Sequence, residues 1–169
     1  MTVLETERLS LRQLTTDDAP FIFVLVNEPS FIQNIGDRNV RTIEDARAYI
    51  LNGPVTSYEK NRFGLYLVVL KETNESIGMC GLIKRDGLED VDIGYALLPK
   101  FWSKGYAVEA ARAVKEYAKD VVELKRLVAI VDPANEASIR VLEKIGLRYE
   151  KMIRLSADDI DLKLFGIAL

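Results

Sequence analysis

The residues from Pro99 to Lys104, PKFWSK, with Gly105 at the far edge, form a turn between two apolar stretches. Before it runs Ile93 to Leu98, short and of strand type. After it, Ala107, Ala110, Ala111, Val114, Tyr117 and Ala118 follow the i, i+3, i+4, i+7 spacing of a half-buried helix. A helix start carries backbone N–H groups without partners and about half a positive charge, so it can seat an anion such as phosphate. Gly105 and Ala107 flank that start, with nothing large enough to keep a ligand off the backbone. The same pattern also describes a tight strand–turn–helix corner in which Gly105 serves only its backbone angles. Other reactive types are scarce. His is absent, which removes His triads and the usual His metal sites. Cys80, the one cysteine, lies inside the apolar run Ile77 to Ile83 and reads as a small buried residue without an activating partner.

The elements that must position this turn can be read in order. Glu7 to Leu14 alternates, with Leu9, Leu11 and Gln13 on one parity, as in a half-buried strand. Thr15 to Asp18 carries capping oxygens and acids, so a helix starts there and should fail near Asn27-Glu28-Pro29. Ser30 to Arg41 is irregular. Thr42 with Asp45 opens a second helix, which Asn52-Gly53-Pro54 should end. Phe63–Leu70 and Ile77–Ile83 read as a hairpin, and the glycines of the second strand mark a bulge or close approach. Strands are expected at Val91–Leu98, Leu124–Val131, Leu147–Leu155 and Leu162–Leu169. A helix opens at Asn135, faces inward with Ser138, Leu142 and Ile145, and closes at Gly146. Strands mixed with crossover helices argue for one mixed sheet covered by helices.

Length and charge bound the rest. At 169 residues, 1–169 is expected to be one domain with a real core. The net charge of −3 and the lack of a dense Lys/Arg block argue against nucleic acid as a partner. A single cysteine excludes a disulfide framework within the chain. No apolar run approaches 18 residues, and Met1 to Glu5 has no basic leader, so no membrane partner and a soluble, cytoplasmic protein are expected. No G-x-x-x-x-G-K-[ST] occurs, which excludes a P-loop hydrolase.

Trp102-Ser103-Lys104-Gly105-Tyr106-Ala107, followed by Glu109-Ala110, resembles the pyrophosphate loop of the GNAT superfamily of N-acetyltransferases. It is most similar to the branch of ribosomal-protein N-terminal acetyltransferases, with Ser103 where Gly is usual. A second segment, Asn135-x-x-Ser138-x-Arg140-Val141-Leu142-Glu143-Lys144-x-Gly146-Leu147, matches in family order and spacing. The resemblance spans nearly the whole chain and is weakest between Ser30 and Asn61; within it, Ser30 to Arg41 tends in the family to wall the acceptor pocket, and otherwise reads as a surface loop or short helix anchored by aromatics. It implies an α/β, GNAT-type fold: one mixed, mostly antiparallel sheet of about six or seven strands flanked by about four helices. It implies acetyl-CoA as co-substrate, no metal, and a primary amine as acceptor, either a peptide N-terminus or a small molecule. A homodimer is compatible with it.

Carried onto these residues, the resemblance assigns the amides of Trp102, Ser103, Lys104, Gly105, Tyr106 and Ala107 to the pyrophosphate. Lys104 adds a point charge there or is a solvated turn lysine. The backbone of Leu97 and Leu98 pairs with the pantetheine arm as an added strand would. Asn135 contacts that arm, caps the last helix, or does both. Amine acetylation needs a proton taken from the ammonium, a stabilised carbonyl oxygen and a tolerated thiolate. The Tyr that many members place on the last helix as general acid is Leu142 here, which leaves the hydroxyl of Ser138 as the nearest substitute. Asp92, two residues before Gly94, is the candidate base, or else an exposed strand acid or one paired with Arg or Lys. Direct transfer in a ternary complex follows from the lack of an activated Cys. The competing reading is a CoA-binding sensor or interaction module that has lost catalysis.

Overall fold

Alternation from Leu9 to Gln13 places Leu9 and Leu11 at zero exposure and fixes which face of the sheet is inside. In the computed structural model, which describes residues 1–169, eight strands form one sheet in the order β1-β2-β3-β4-β5-β6-β8-β7. They are β1 (Thr2–Glu5), β2 (Leu9–Gln13), β3 (Leu65–Leu70), β4 (Glu75–Ile83), β5 (Asp92–Leu97), β6 (Arg126–Val131), β7 (Arg148–Ile153) and β8 (Leu162–Ala168). All neighbours are antiparallel except β5 and β6, which run parallel. A parallel pair needs a crossover, and α5 (Tyr106–Asp120) supplies it. The remaining helices are α1 (Ala19–Val26), α2 (Pro29–Asn34), α3 (Ile43–Ile50), α4 (Thr56–Asn61) and α6 (Glu136–Lys144).

The sheet has one strand more than the upper expectation. β1 has no apolar alternation; it exists because the chain folds back on β2 through Thr6 to Arg8. Two further corrections concern helices. Pro29 stops α1 as expected but then sits at the first position of α2, where its missing N–H removes a bond no helix would make. Asn52-Gly53-Pro54 does not end α3. The chain continues through a wide π-turn, Leu51–Val55, into α4. A π-turn leaves space that Pro54 would lack in an α-helix, and the Thr56 hydroxyl donates to the Leu51 carbonyl at 2.7 Å.

Helices cover both faces. On one face, Ala110, Ala111, Val114 and Ala118 of α5 meet Ile93, Leu97, Leu127 and Ala129, joined by Leu142 of α6. On the other, Ile22, Leu25, Ala46 and Ile50 of α1 and α3 meet Leu67, Val69 and Met79. Burial of each such aliphatic side chain contributes roughly 1.5–3 kcal/mol. The first helical turn is held by Thr15, whose hydroxyl and backbone form a reciprocal pair with Asp18, while Arg12 grips Asp18 with two bonds of 2.9 and 2.7 Å. At the far edge β7 is exposed along nearly its whole length and carries Arg148, Glu150 and Lys151.

The core tolerates no side chain at Gly81, where an added Cβ would overlap the Gly64 carbonyl oxygen of the loop entering β3. Gly81→Ala is therefore expected to lower stability by about 1–3 kcal/mol, the range for overpacked cores. Urea denaturation of the variant and the parent protein measures this; equal midpoints would contradict the packing described.

Candidate active site

The corner between β5 and α5 begins with a 3-10 turn, Pro99–Phe101, capped at Trp102. Ser103 (φ 62°) and Gly105 (φ 84°) then take left-handed conformations, and α5 starts at Tyr106. The backbone amides from Ser103 through Val108 have no acceptor within the protein. Residues that alternate in hand turn successive N–H groups inward and make an anion-binding concavity, and a helix start adds its dipole. The Trp102 amide does not belong to this set, because it donates to the Pro99 carbonyl at 3.0 Å. Trp102 acts through its side chain instead: its indole N–H donates to the Leu97 carbonyl at 2.9 Å, tying the turn to the end of β5. Lys104 is exposed, and its carbonyl accepts a bond from Arg8.

The strand before the corner opens a gap. β5 and β6 share one bridge, Asp92 with Val128, and then separate. The Val91 carbonyl accepts from the Val128 amide on the β6 side, whereas the Leu98 amide donates to Ile77 on the β4 side. Successive residues of a strand address opposite edges, so Tyr95 and Leu97 turn their main-chain groups toward the gap. The assignment of Leu98 to a ligand is corrected here: its amide is held by Ile77, and its carbonyl accepts from Phe101 at 3.0 Å. Leu97 and Tyr95 are the residues of β5 whose main chain faces the gap.

On the α6 side of the gap, Asn135 caps the helix by accepting from the Ser138 amide at 3.2 Å. Its side-chain NH2 has no partner in the protein. Ser138 lies one turn on. Its hydroxyl is 2.8 Å from the Tyr95 hydroxyl, which also reaches the Ser138 carbonyl at 3.0 Å. Leu142 is packed into the core, and Tyr95 supplies from β5 the phenol that α6 lacks. Burial pushes the Tyr95 phenol well above its ordinary range. Alternation in Ile93–Leu97 marks Tyr95 as inward-facing, but its partner across 43 residues has no local signal.

Asp92 projects from the opposite face of β5, with only 1% of its surface exposed. Burial raises its pKa to about 6 against the pull of Arg85, whose Nε lies 3.1 Å away. The expected catalytic pair thus stands on two sides of the sheet, Ser138 beside the gap and Asp92 at its closed end. Tyr49 lies in the field of Arg38 and Arg85, and it borders an open cavity of about 350 Å³ with Arg38, Asn39, Ala48 and Asn52. Burial also raises the Cys80 thiol far above its usual pKa, so it is inert. No three His, Cys, Asp or Glu groups come together to hold a metal, and no helix is long and apolar enough to cross a membrane.

Comparison with known proteins places the chain in a family and agrees with its fold. Residues 8–148 match the family described as Acetyltransferase (GNAT) domain. The uncharacterized N-acetyltransferase YoaA of Bacillus subtilis (strain 168) is 34% identical over 154 residues, covering 90% of this chain and 86% of its own length. The crystal structure of an acetyltransferase from Agrobacterium tumefaciens str. C58 superposes with a TM-score of 0.84 at 26% identity, over 100% of this chain and 95% of that one. RimL, the ribosomal L7/L12 alpha-N-protein acetyltransferase solved in complex with coenzyme A, shares the fold with a TM-score of 0.86 at 19% identity, over 100% of this chain and 98% of its own.

Gly105 has a φ of 84°, and a Cβ there would stand 3.2 Å from the Arg8 guanidinium. Gly105→Ala is expected to lower stability by about 1–2 kcal/mol, the penalty for a left-handed L-residue. Urea denaturation reads it out, and an unchanged midpoint would show that the turn relaxes freely.

Proposed function

We propose a reaction for this chain from one premise: it belongs to the GNAT acetyltransferase family, and it is an N-acetyltransferase. The donor is acetyl-CoA and the acceptor a primary amine, a peptide N-terminus or a small molecule. The chain 1–169 acts as a single catalytic domain. The observation that carries this reading is the run of six unpartnered amides, Ser103 to Val108, beside a gap between two parallel strands. Hydrogen bonds to a charged group contribute about 1.5–3 kcal/mol each. Three would supply much of the roughly 8 kcal/mol that micromolar binding requires.

The pantetheine arm then lies in the gap, paired with the Tyr95 and Leu97 main chain and met by Asn135. Trp102 holds the Leu97 carbonyl and braces the loop, and Lys104 adds exposed positive charge. The thioester reaches toward the closed end. There the acceptor amine approaches from the cavity side of the sheet and loses its proton to Asp92, directly or through water. A base with a pKa of about 6 is ionised at neutral pH and still accepts a proton. The amine nitrogen forms its bond to the acetyl carbon, the tetrahedral intermediate gives its surplus N–H proton to water, and the C–S bond breaks so that coenzyme A leaves as the thiolate. Ser138 donates a hydrogen bond to the leaving sulfur. Tyr95 supports it by donating to the Ser138 oxygen. Tyr95 does not surrender its proton, because its buried phenol is a far weaker acid than a thiol near 8.5. Coenzyme A and the acetylated amine are the products.

The test is thiol release from acetyl-CoA across peptides, polyamines, amino sugars and amino acids, with mass spectrometry of the product. Turnover on one class supports the reading. Tight binding without turnover on any would return the sensor alternative, and no affinity for coenzyme A would remove both.

Two variants report on the roles. Because the folded pKa of Asp92 is raised, its carboxylate base exists only above about pH 6, so log kcat/KM is expected to rise with pH through that value. Asp92→Asn should lower kcat about 100-fold or more and abolish that limb. Stability runs the opposite way: the contribution of the neutral acid is full below about pH 4 and is lost as pH rises through about 6. Ser138→Ala should lower kcat by about tenfold, below the usual range for an acid catalyst because a thiolate leaves readily. Steady-state kinetics measures both, and an unchanged kcat in either variant would strike that residue from the mechanism.

A further inference from the structure

Arg8 reaches the anion corner from 96 residues away in the chain, and the contacts it makes there are specific. Its Nε donates to Glu109 at 2.7 Å, and its backbone amide donates to the other oxygen of the same carboxylate at 2.9 Å. The Thr6 hydroxyl donates to that carboxylate too. Burial pushes the Glu109 carboxyl up, but these three donors together hold it below its usual range. From this anchor the guanidinium extends over the turn. Its Nη1 donates to the Lys104 carbonyl at 3.0 Å, and its carbon stands 4.4 Å from the centroid of the Tyr106 ring. The side chain lies against Gly105, where there is no Cβ to hold it off. An open cavity of about 570 Å³ borders the same residues, with Arg112 and Lys144 on its far side.

We propose that Arg8, braced by Glu109, is a positioning residue that locks the turn from Ser103 to Tyr106 in its anion-receiving shape. This rests on the proposed use of acetyl-CoA, whose diphosphate the turn would hold. The physical need is clear from the backbone. Ser103 in a left-handed conformation costs about 1–2 kcal/mol, and no hydrogen bond within the turn holds the Lys104 peptide. Orientation of that peptide sets the direction of the Gly105 amide, because carbonyl and following N–H belong to one rigid plane. The Arg8 bond to the Lys104 carbonyl fixes that plane from outside. The charge of Arg8 is already matched by Glu109, so its part is geometric and not that of a free cation.

A lysine keeps the charge but cannot make the fork. One ammonium cannot bond Glu109, bond the Lys104 carbonyl and stack on Tyr106 together. This separates positioning from direct phosphate contact. Titration calorimetry with coenzyme A is expected to give about tenfold weaker binding for Arg8→Ala and for Arg8→Lys alike. Steady-state kinetics should show the same rise in the acetyl-CoA KM, with kcat changed less than threefold. With S-acetylpantetheine, which lacks the diphosphate, kcat/KM should move less than twofold from the parent value. Recovery of affinity in Arg8→Lys would make Arg8 a point-charge ligand and overturn the proposal. So would an equal loss with both donors, or parent-like affinity in Arg8→Ala. Glu109→Gln weakens the brace from the other end. It is expected to reproduce the donor-selective loss at smaller size even if Arg8→Ala fails to fold, and normal coenzyme A affinity in it would also overturn the proposal. Absence of coenzyme A binding by the parent protein would instead remove the donor reading on which this rests.

Discussion

The fold turns on one incomplete pairing. β5 and β6 meet at Asp92 and Val128 and then part, although every other neighbouring pair in the sheet is joined by several residues. A buried strand edge without partners is costly, so such a gap persists only where something takes its place. Here the ends of the gap are supported from outside. Trp102 satisfies the Leu97 carbonyl, and β8 takes the far side of β6 over its whole length. The separation also brings two helix starts to one place, α5 after β5 and α6 after β6, and both offer amides or caps to the same opening.

The sheet divides the chemistry into two environments. Tyr95 and Ser138 belong to the side of α5 and α6, where hydroxyls pair inside an otherwise apolar core. Asp92 and Arg85 belong to the side of α1 and α3, where a carboxylate is buried but held beside a cation. The Asp92 carboxyl and the Tyr95–Ser138 hydroxyl pair are thereby kept apart. Their distance is set by a strand whose own backbone cannot bend to bring them together.

Much of this was legible in the sequence because it depends on local pattern. The i, i+3, i+4 alanines of α5, the Asn135 cap and the strand alternations all concern residues a few positions apart. The turn at Gly105 was legible for the same reason. What escaped notice depends on contacts between distant segments. Arg8 resembles any polar residue at the start of a strand, and only the folded chain brings it to Lys104. Leu98 seemed equivalent to Leu97, yet a one-residue step turns its main chain to the other edge. The π-turn at Leu51–Val55 escaped because Gly-Pro normally ends a helix, and here a wider turn absorbs the proline. β1 had no pattern to read, since pairing with β2 alone defines it.

The bare rim at β7 has a consequence for how the protein behaves when crowded. A strand with an unoccupied row of amides and carbonyls is a template for another chain, and stacked copies would grow as cross-β ribbons. Arg148, Glu150 and Lys151 stand in the solvent along that rim, and Glu150 is tied sideways to Arg126. A second β7 laid against the first in antiparallel fashion would have to strip water from these charges and place some of them against their own kind. The rim therefore discourages self-templating at the open end of the sheet.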